Sequence, residues 1–185
     1  GYNTIDEIIK KEVIYAYKGR RKDGIRTMDI KAKRVQDSMA ETVHIVRPNH
    51  LNGANRLFGG ILMQWIDEVA GATARRHCGR NATTAAIDNL QFKAPAYSGD
   101  LVVLCGHVTY VGRTSMEIRV DTFIEALDGS RQHINRAYID MVAINNDGTP
   151  IEVPALELET DEQRTEYEAA IKRKEMRKKR RCEDF

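Results

Sequence analysis

The sequence predicts an α+β domain in which a curved antiparallel sheet wraps around one buried helix. Three observations lead there. Residues 61–76 read as a helix that is apolar on nearly every side. Strand-like runs fill residues 83–92, 100–111, 115–126 and 133–145. The connections between those runs are short and rich in turn residues. A helix without a polar face must be covered on nearly all sides, and the runs that follow it supply a sheet to do so.

Composition narrows the class. At 185 residues the chain is long enough for one compact domain with modest extensions. With 42% hydrophobic and 30% charged residues it reads as globular rather than disordered. A net charge of +2 is too small to mark a nucleic-acid binder. No apolar run approaches the ~20 residues that a membrane helix needs. The opening Gly-Tyr-Asn-Thr-Ile-Asp lacks the charged and apolar regions of a signal peptide. Cys78, Cys105 and Cys182 are odd in number and form no CxxC pair, so neither a zinc site nor a disulfide framework is expected. A reducing compartment is the simpler reading. The expectation is a cytoplasmic protein with no nucleic-acid partner, no membrane insertion, no metal and no redox cofactor.

Taken in order, residues 1–37 form a polar, basic N-terminal extension with one apolar stretch, Val13-Ile14-Tyr15. No internal repeat is visible. The main domain is expected over 38–156. Thr42-Val43-His44-Ile45-Val46 reads as its first strand. Pro48 ends that strand, and residues 49–55 are a loop rich in Asn and Gly. Phe58-Gly59-Gly60 then opens the helix. Ile61, Leu62, Met63, Trp65, Ile66, Val69, Ala70, Ala72 and Ala74 cover most of its circumference, while Gln64, Asp67, Glu68, Arg75 and Arg76 exclude a bilayer. Small residues at 70, 71, 72 and 74 let a partner approach closely. In the run from Ser115, Met116, Ile118, Val120, Thr122 and Ile124 alternate with Glu117, Arg119 and Asp121, the pattern of a half-buried strand. Four consecutive runs joined by Ser98-Gly99-Asp100, Gly112 and Asp128-Gly129 predict a four-stranded meander. Over 157–185, Thr160 followed by Gln163 is a capping box, and a basic helix runs to about Arg181.

Familiar catalytic signatures are missing: the sequence has no GxSxG, HExxH, Walker A or GxGxxG. His44, His50, His77, His107 and His133 show no metal spacing and read as structural or surface residues. Asp67 stands out. It follows Gly60 by seven residues, so Gly60, Gln64, Asp67 and Gly71 share one stripe of the helix. It is either a solvent-facing acid or a functional one, and Gly71 at i+4 offers it no salt bridge. Glu68, about 100° round the helix, is the better candidate for plain exposure. Gly59 and Gly60 serve either a tight turn or a pair of free helix N–H donors aimed at a developing oxyanion. Asn52 either stabilises its loop or meets a reacting group. Gly112, Arg113, Thr114 and Ser115 are a hairpin or an anion cradle.

The ordered series Pro48, Asn52, Leu57-Phe58-Gly59-Gly60 and Ile66-Asp67-Glu68-Val69-Ala70-Gly71 resembles the central helix motif of hotdog-fold acyl-CoA thioesterases. Downstream, Ala85-Ala86-Ile87-Asp88-Asn89-Leu90-Gln91-Phe92, Gly112-Arg113-Thr114-Ser115 and Pro150-Ile151-Glu152-Val153-Pro154 resemble the same family, in bacteria and in the cytosol of animals. The resemblance runs from about residue 40 into the basic C-terminal helix. It implies a hotdog fold, hydrolysis of acyl-CoA to acid and CoA, Asp67 as the catalytic carboxylate, Asn52 near the reacting carbonyl or water, and Gly60 N–H as the oxyanion donor. Asp67 is then either a general base that activates water or a nucleophile that attacks directly to give a mixed anhydride. It also implies obligate dimers, assembled further into hexamers, with the active site at the dimer interface. CoA is expected along Gly59 and the Gly112–Ser115 turn. Arg56 stands where some relatives have Asp or Asn, which throws more weight on Asp67. A non-catalytic acyl-CoA sensor would keep the Gly-Gly loop but need no acid at 67. A dehydratase would need a His on the helix, and none precedes His77.

Overall fold

A computed structural model describes residues 31–88 and 90–183. The Val13–Tyr15 stretch and most of the predicted extension lie outside the described residues. The elements are β1 (Lys33–Arg34), β2 (Ala40–Ile45), α1 (Gly59–Cys78), β3 (Asn81–Asp88), β4 (Leu101–Val111), β5 (Ser115–Glu125), β6 (Arg131–Ile144), β7 (Leu156–Glu157) and α2 (Asp161–Cys182). The end of the extension belongs to the packed body, because β1 pairs in parallel with β7 and Val35 and Ser38 are buried.

The five long strands form an antiparallel sheet in the order β2-β4-β5-β6-β3. This corrects the expected four-stranded meander. Only β4, β5 and β6 follow one another; β3 crosses to the far edge and pairs with β6. The reason lies in the connections. Hairpin loops run to about five residues, whereas the link from 89 to 100 is long enough to traverse the sheet and is tied to β6 by Lys93 N–H donating to Ile134 O.

On one face the sheet holds α1. Leu62, Trp65, Ile66, Val69, Ala70 and Ala74 pack against Val102, Leu104, Met116, Ile118, Ile139 and Met141. Truncating one such side chain to Ala costs roughly 2–5 kcal/mol. Helix and sheet approach closely at Gly106, where a Cβ would lie 2.7 Å from Thr73 Oγ1 and 2.8 Å from a Val69 methyl. The helix stops at Gly79, whose left-handed φ of 65° lets its N–H reach Arg75 O.

The other face carries α2, and here the half-buried reading of β5 fails. Glu117 is completely buried and Asp121 nearly so. An alternating strand exposes its charged face only when nothing covers it, and α2 covers this one with guanidinium groups. Arg173 and Arg177 each reach Glu117 at 2.8 Å, and Thr109 Oγ1 donates to it at the same distance. Arg119 and Arg136 both hold Asp121 at 2.7 Å. Burial disfavours the charged form of Asp121, but those two cations outweigh it and keep the carboxyl below its usual range. Arg173 also lies 3.7 Å above the Tyr138 ring. The capping box forms as expected, with Gln163 N–H donating to Thr160 Oγ1. The dipole therefore explains only part of the basic character of α2; Arg173, Arg177 and Arg180 turn inward to neutralise acids of the sheet.

Candidate active site

The single chain leaves one stripe of α1 uncovered. Met63, Gln64, Asp67 and Glu68 are exposed, while Leu62, Trp65, Ile66 and Val69 are buried. Asp67 sits in the middle of this stripe. Gln64 Nε2 donates to Glu68 Oε1 at 2.9 Å, so the neighbouring acid is occupied. Among the described residues no cation lies within ion-pair distance of Asp67. Its partner is a hydroxyl from the sheet: Thr84 Oγ1 on β3 donates to Asp67 Oδ1 at 2.5 Å. The same hydroxyl lies 3.3 Å from Met141 Sδ. One carboxylate oxygen is thus held, and the other has no partner among the described residues.

Thr84 did not stand out in the sequence. Within Asn81–Asp88 it reads only as a β-branched strand residue. The available signal was its alternation with Ala82, which shares its helix-facing side; a register shift after Thr84 turns Ala86 away from that side.

At the start of α1, the Phe58 carbonyl accepts from both Ile61 and Leu62 N–H, at 3.0 and 3.2 Å. The N–H groups of Gly59 and Gly60 have no acceptor among the described residues. Two donors are therefore available at the positive end of the helix dipole. Seven residues separate Gly60 from Asp67, about 10 Å along the axis.

Asn52 is not brought to Asp67 within one chain. Its Oδ1 accepts from Ala54 N–H at 2.9 Å and Arg56 N–H at 3.3 Å, the loop-stabilising arrangement, and the residue is exposed. The Gly112–Ser115 turn is likewise closed on itself. Gly112 N–H donates to Ser115 O, Ala143 N–H to Thr114 O, and Val153 N–H to Arg113 O, leaving the Arg113 side chain exposed.

Neither Cys78 nor Cys105 is activated as a nucleophile. Burial and the adjacent Glu41 push the Cys105 thiol up to about 11, and burial also raises that of Cys78. A cavity of about 110 Å³ bounded by His107, Arg119 and Glu166 lies on the outer face, with no wall from the Asp67 site.

A five-stranded antiparallel sheet curled round one long helix is the hotdog architecture. Comparison with known proteins gives the family. The model of the thioesterase superfamily matches residues 54–127. An acyl-CoA thioester hydrolase of Bacillus subtilis, YkhA, is 38% identical over 137 residues, covering 74% of this chain and 80% of the relative. The cytosolic acyl coenzyme A thioester hydrolase of rat is 32% identical over 139 residues, but the match spans only 36% of that protein. A Staphylococcus aureus acyl-CoA hydrolase solved with butyryl-CoA, CoA and CoA disulfide is 33% identical at a TM-score of 0.78, covering 83% of this chain and 94% of its own. A hexameric acyl-CoA thioesterase without ligand is 38% identical at a TM-score of 0.77, covering 81% and 97%. The chain belongs to the thioesterase superfamily and is a thioesterase of the hotdog fold. Solved variants of the S. aureus enzyme have one Asn, one Asp and one Thr replaced by Ala, in that order and 15 and 17 residues apart.

Proposed function

We propose that this thioesterase hydrolyses acyl-CoA to a free carboxylic acid and CoA, with Asp67 as the general base. The observation that carries the reading is the Thr84–Asp67 contact: an oriented carboxylate, with no cation beside it among the described residues, on the uncovered stripe of an otherwise buried helix. Asn52, Asp67 and Thr84 follow one another 15 and 17 residues apart, the order and spacing of the three replacements in the S. aureus enzyme.

Asp67 takes a proton from water while the hydroxide attacks the thioester carbon. The Gly60 N–H donates to the carbonyl oxygen as it becomes an oxyanion. The C–S bond breaks, the departing sulfur takes up the proton that Asp67 accepted from water, and CoA leaves as the thiol. Thr84 is a positioning residue: it holds Oδ1 and turns Oδ2 toward the water. The thioester is reactive enough that no metal enters this scheme.

The site is completed by a second copy. A dimer covers the exposed stripe of α1 and satisfies the free edge of β3, and it lets Asn52 and Gly60 of one chain face Asp67 of the other. Three dimers then form a hexamer. CoA phosphates are taken by Arg113 with Thr114 and Ser115 at the Gly112 turn, and the adjoining pantetheine passes Gly59. Arg113→Ala raises KM for acyl-CoA at low and moderate salt; an unchanged KM removes that assignment.

Subunit mixing tests the core of the reading. Asp67→Asn and Asn52→Ala proteins are each assayed alone, then unfolded, mixed and refolded together. A two-chain site regains about a quarter of wild-type activity, because half the dimers are mixed and each has one intact site. A mixture no more active than its components overturns the two-chain site, and wild-type turnover by Asp67→Asn alone overturns the mechanism.

A further inference from the structure

Two aromatic rings at the helix start have no role in the scheme above. Phe58 is 53% exposed and Phe92 55% exposed, although large apolar side chains ordinarily gain by burial. Both rest on the glycines that carry the free N–H groups. A Cβ built on Gly59 would lie 3.2 Å from Phe92 Cζ, and one on Gly60 would lie 2.5 Å from Phe58 Cε1. The rings therefore fill the space that side chains at 59 and 60 would occupy. This gives the glycine pair a second reason beside its amides.

Both rings stand on fixed backbone. Phe58 N–H donates to His50 O at 2.9 Å, and its carbonyl caps the first turn of α1. On either side of Phe92 the chain is tied to β6: Asn135 Nδ2 donates to Gln91 O at 2.6 Å, and Lys93 N–H to Ile134 O at 3.0 Å. Gly60 belongs to the stripe of Asp67, so the Phe58 ring closes that stripe at its N-terminal end.

A carbonyl bound at Gly60 carries two substituents, the acyl chain and the sulfur of pantetheine. Pantetheine is rich in amides, which lose free energy when buried without hydrogen-bond partners. Phenyl rings offer apolar surface and no such partners. We propose that Phe58 and Phe92 are the walls that receive the first methylenes of the acyl chain, making them the residues that set chain-length preference. The assignment rests on thioester hydrolysis at this site, and it gives the two rings to the acyl chain while the backbone of Gly59 keeps its contact with pantetheine.

The test is a chain-length series read in two ways. Turnover of saturated acyl-CoAs from two to sixteen carbons is measured for wild type, Phe92→Ala, Phe58→Ala and the milder Phe92→Leu. Binding of non-hydrolysable S-alkyl-CoA thioethers of the same lengths is titrated in parallel, with the oligomeric state checked by sedimentation. Burying a methylene is worth up to about fourfold in affinity. Wild type is expected to gain two- to fourfold per added carbon over the first few carbons. Phe92→Ala and Phe58→Ala flatten that gain below about 1.5-fold while the shortest thioether binds within about threefold of wild type. Phe92→Leu is intermediate. An unchanged slope overturns the proposal, as does an equal loss at every length with weaker binding of CoA itself, which assigns the rings to pantetheine. Equal loss with dissociated subunits also overturns it, since the rings then serve assembly. Because the thioethers are not hydrolysed, their slope stands or falls independently of Asp67: wild-type turnover by Asp67→Asn would remove the mechanism and leave this result intact.

Discussion

Asp67 and Glu117 are both acids set into elements otherwise rich in apolar residues, and the chain treats them in opposite ways. Glu117 lies under α2 with no exposed surface, held by Arg173, Arg177 and Thr109. Asp67 lies open on α1, and its partners among the described residues are one hydroxyl and no cation. Glu117 has its hydrogen-bonding and charge requirements met at home, which makes it a structural group. The open oxygen of Asp67 is what a general base needs. A buried, fully paired acid and an exposed, held one stand on the two faces of one sheet, and the proposed mechanism assigns architecture to the first and chemistry to the second.

The comparison breaks most decisively at its reactive end. Asp67→Asn is expected to lower kcat by roughly 10²–10⁴ while leaving the melting temperature and CoA binding nearly unchanged. Glu68→Gln, which removes the same charge one position along, keeps wild-type turnover in the same assay. A parallel loss in both variants would mean that charge on the helix, rather than this carboxylate, matters.

Glu117→Gln gives the opposite signature. Removing one member of a buried ion network costs about 3–5 kcal/mol, read as a lower denaturant midpoint, with kcat of the folded protein within about twofold of wild type. Were turnover to collapse while stability held, the division between the two faces would be wrong.

Thr84→Val sharpens the contrast by removing only the hydroxyl. A hydrogen bond to a charged group is worth about 1.5–3 kcal/mol, so kcat falls roughly ten- to a hundredfold if Thr84 positions Asp67. Thr84→Ser restores most of that loss, an outcome that mere packing of the threonine methyl does not produce.

The smallest effect is a pH slope in stability. Burial pulls His77 below the ordinary imidazole value of 6.5, with the Pro154 carbonyl 3.0 Å from Nε2 acting against it; burial also lowers His44 and His107. In the unfolded chain these groups take protons first, so their contribution is full above pH 6.5 and is lost as pH falls toward their folded values. The melting temperature should fall on acidification from pH 7 to 5, and His77→Gln should lessen the slope. A flat profile in wild type would show that the imidazoles charge without cost.

The sequence was sufficient for the helix, the five strands and the stripe holding Gly60, Asp67 and Gly71, because period and turn chemistry are local properties of the chain. It did not give strand order, since β3 finds β6 through a link whose length permits several paths. It did not give the burial of Glu117, because alternation says which residues share a face and not what covers that face; only α2, bringing Arg173 and Arg177 back from 56 and 60 residues away, decides that. Thr84 was hidden for the same reason: its meaning comes from Asp67, 17 residues earlier on another element. Asp67 was legible alone because an acid in an apolar helix conflicts with its own surroundings, and such a conflict is visible without knowing the partner. Pairings between distant elements depend on how the whole chain packs, and those the tertiary structure alone decided.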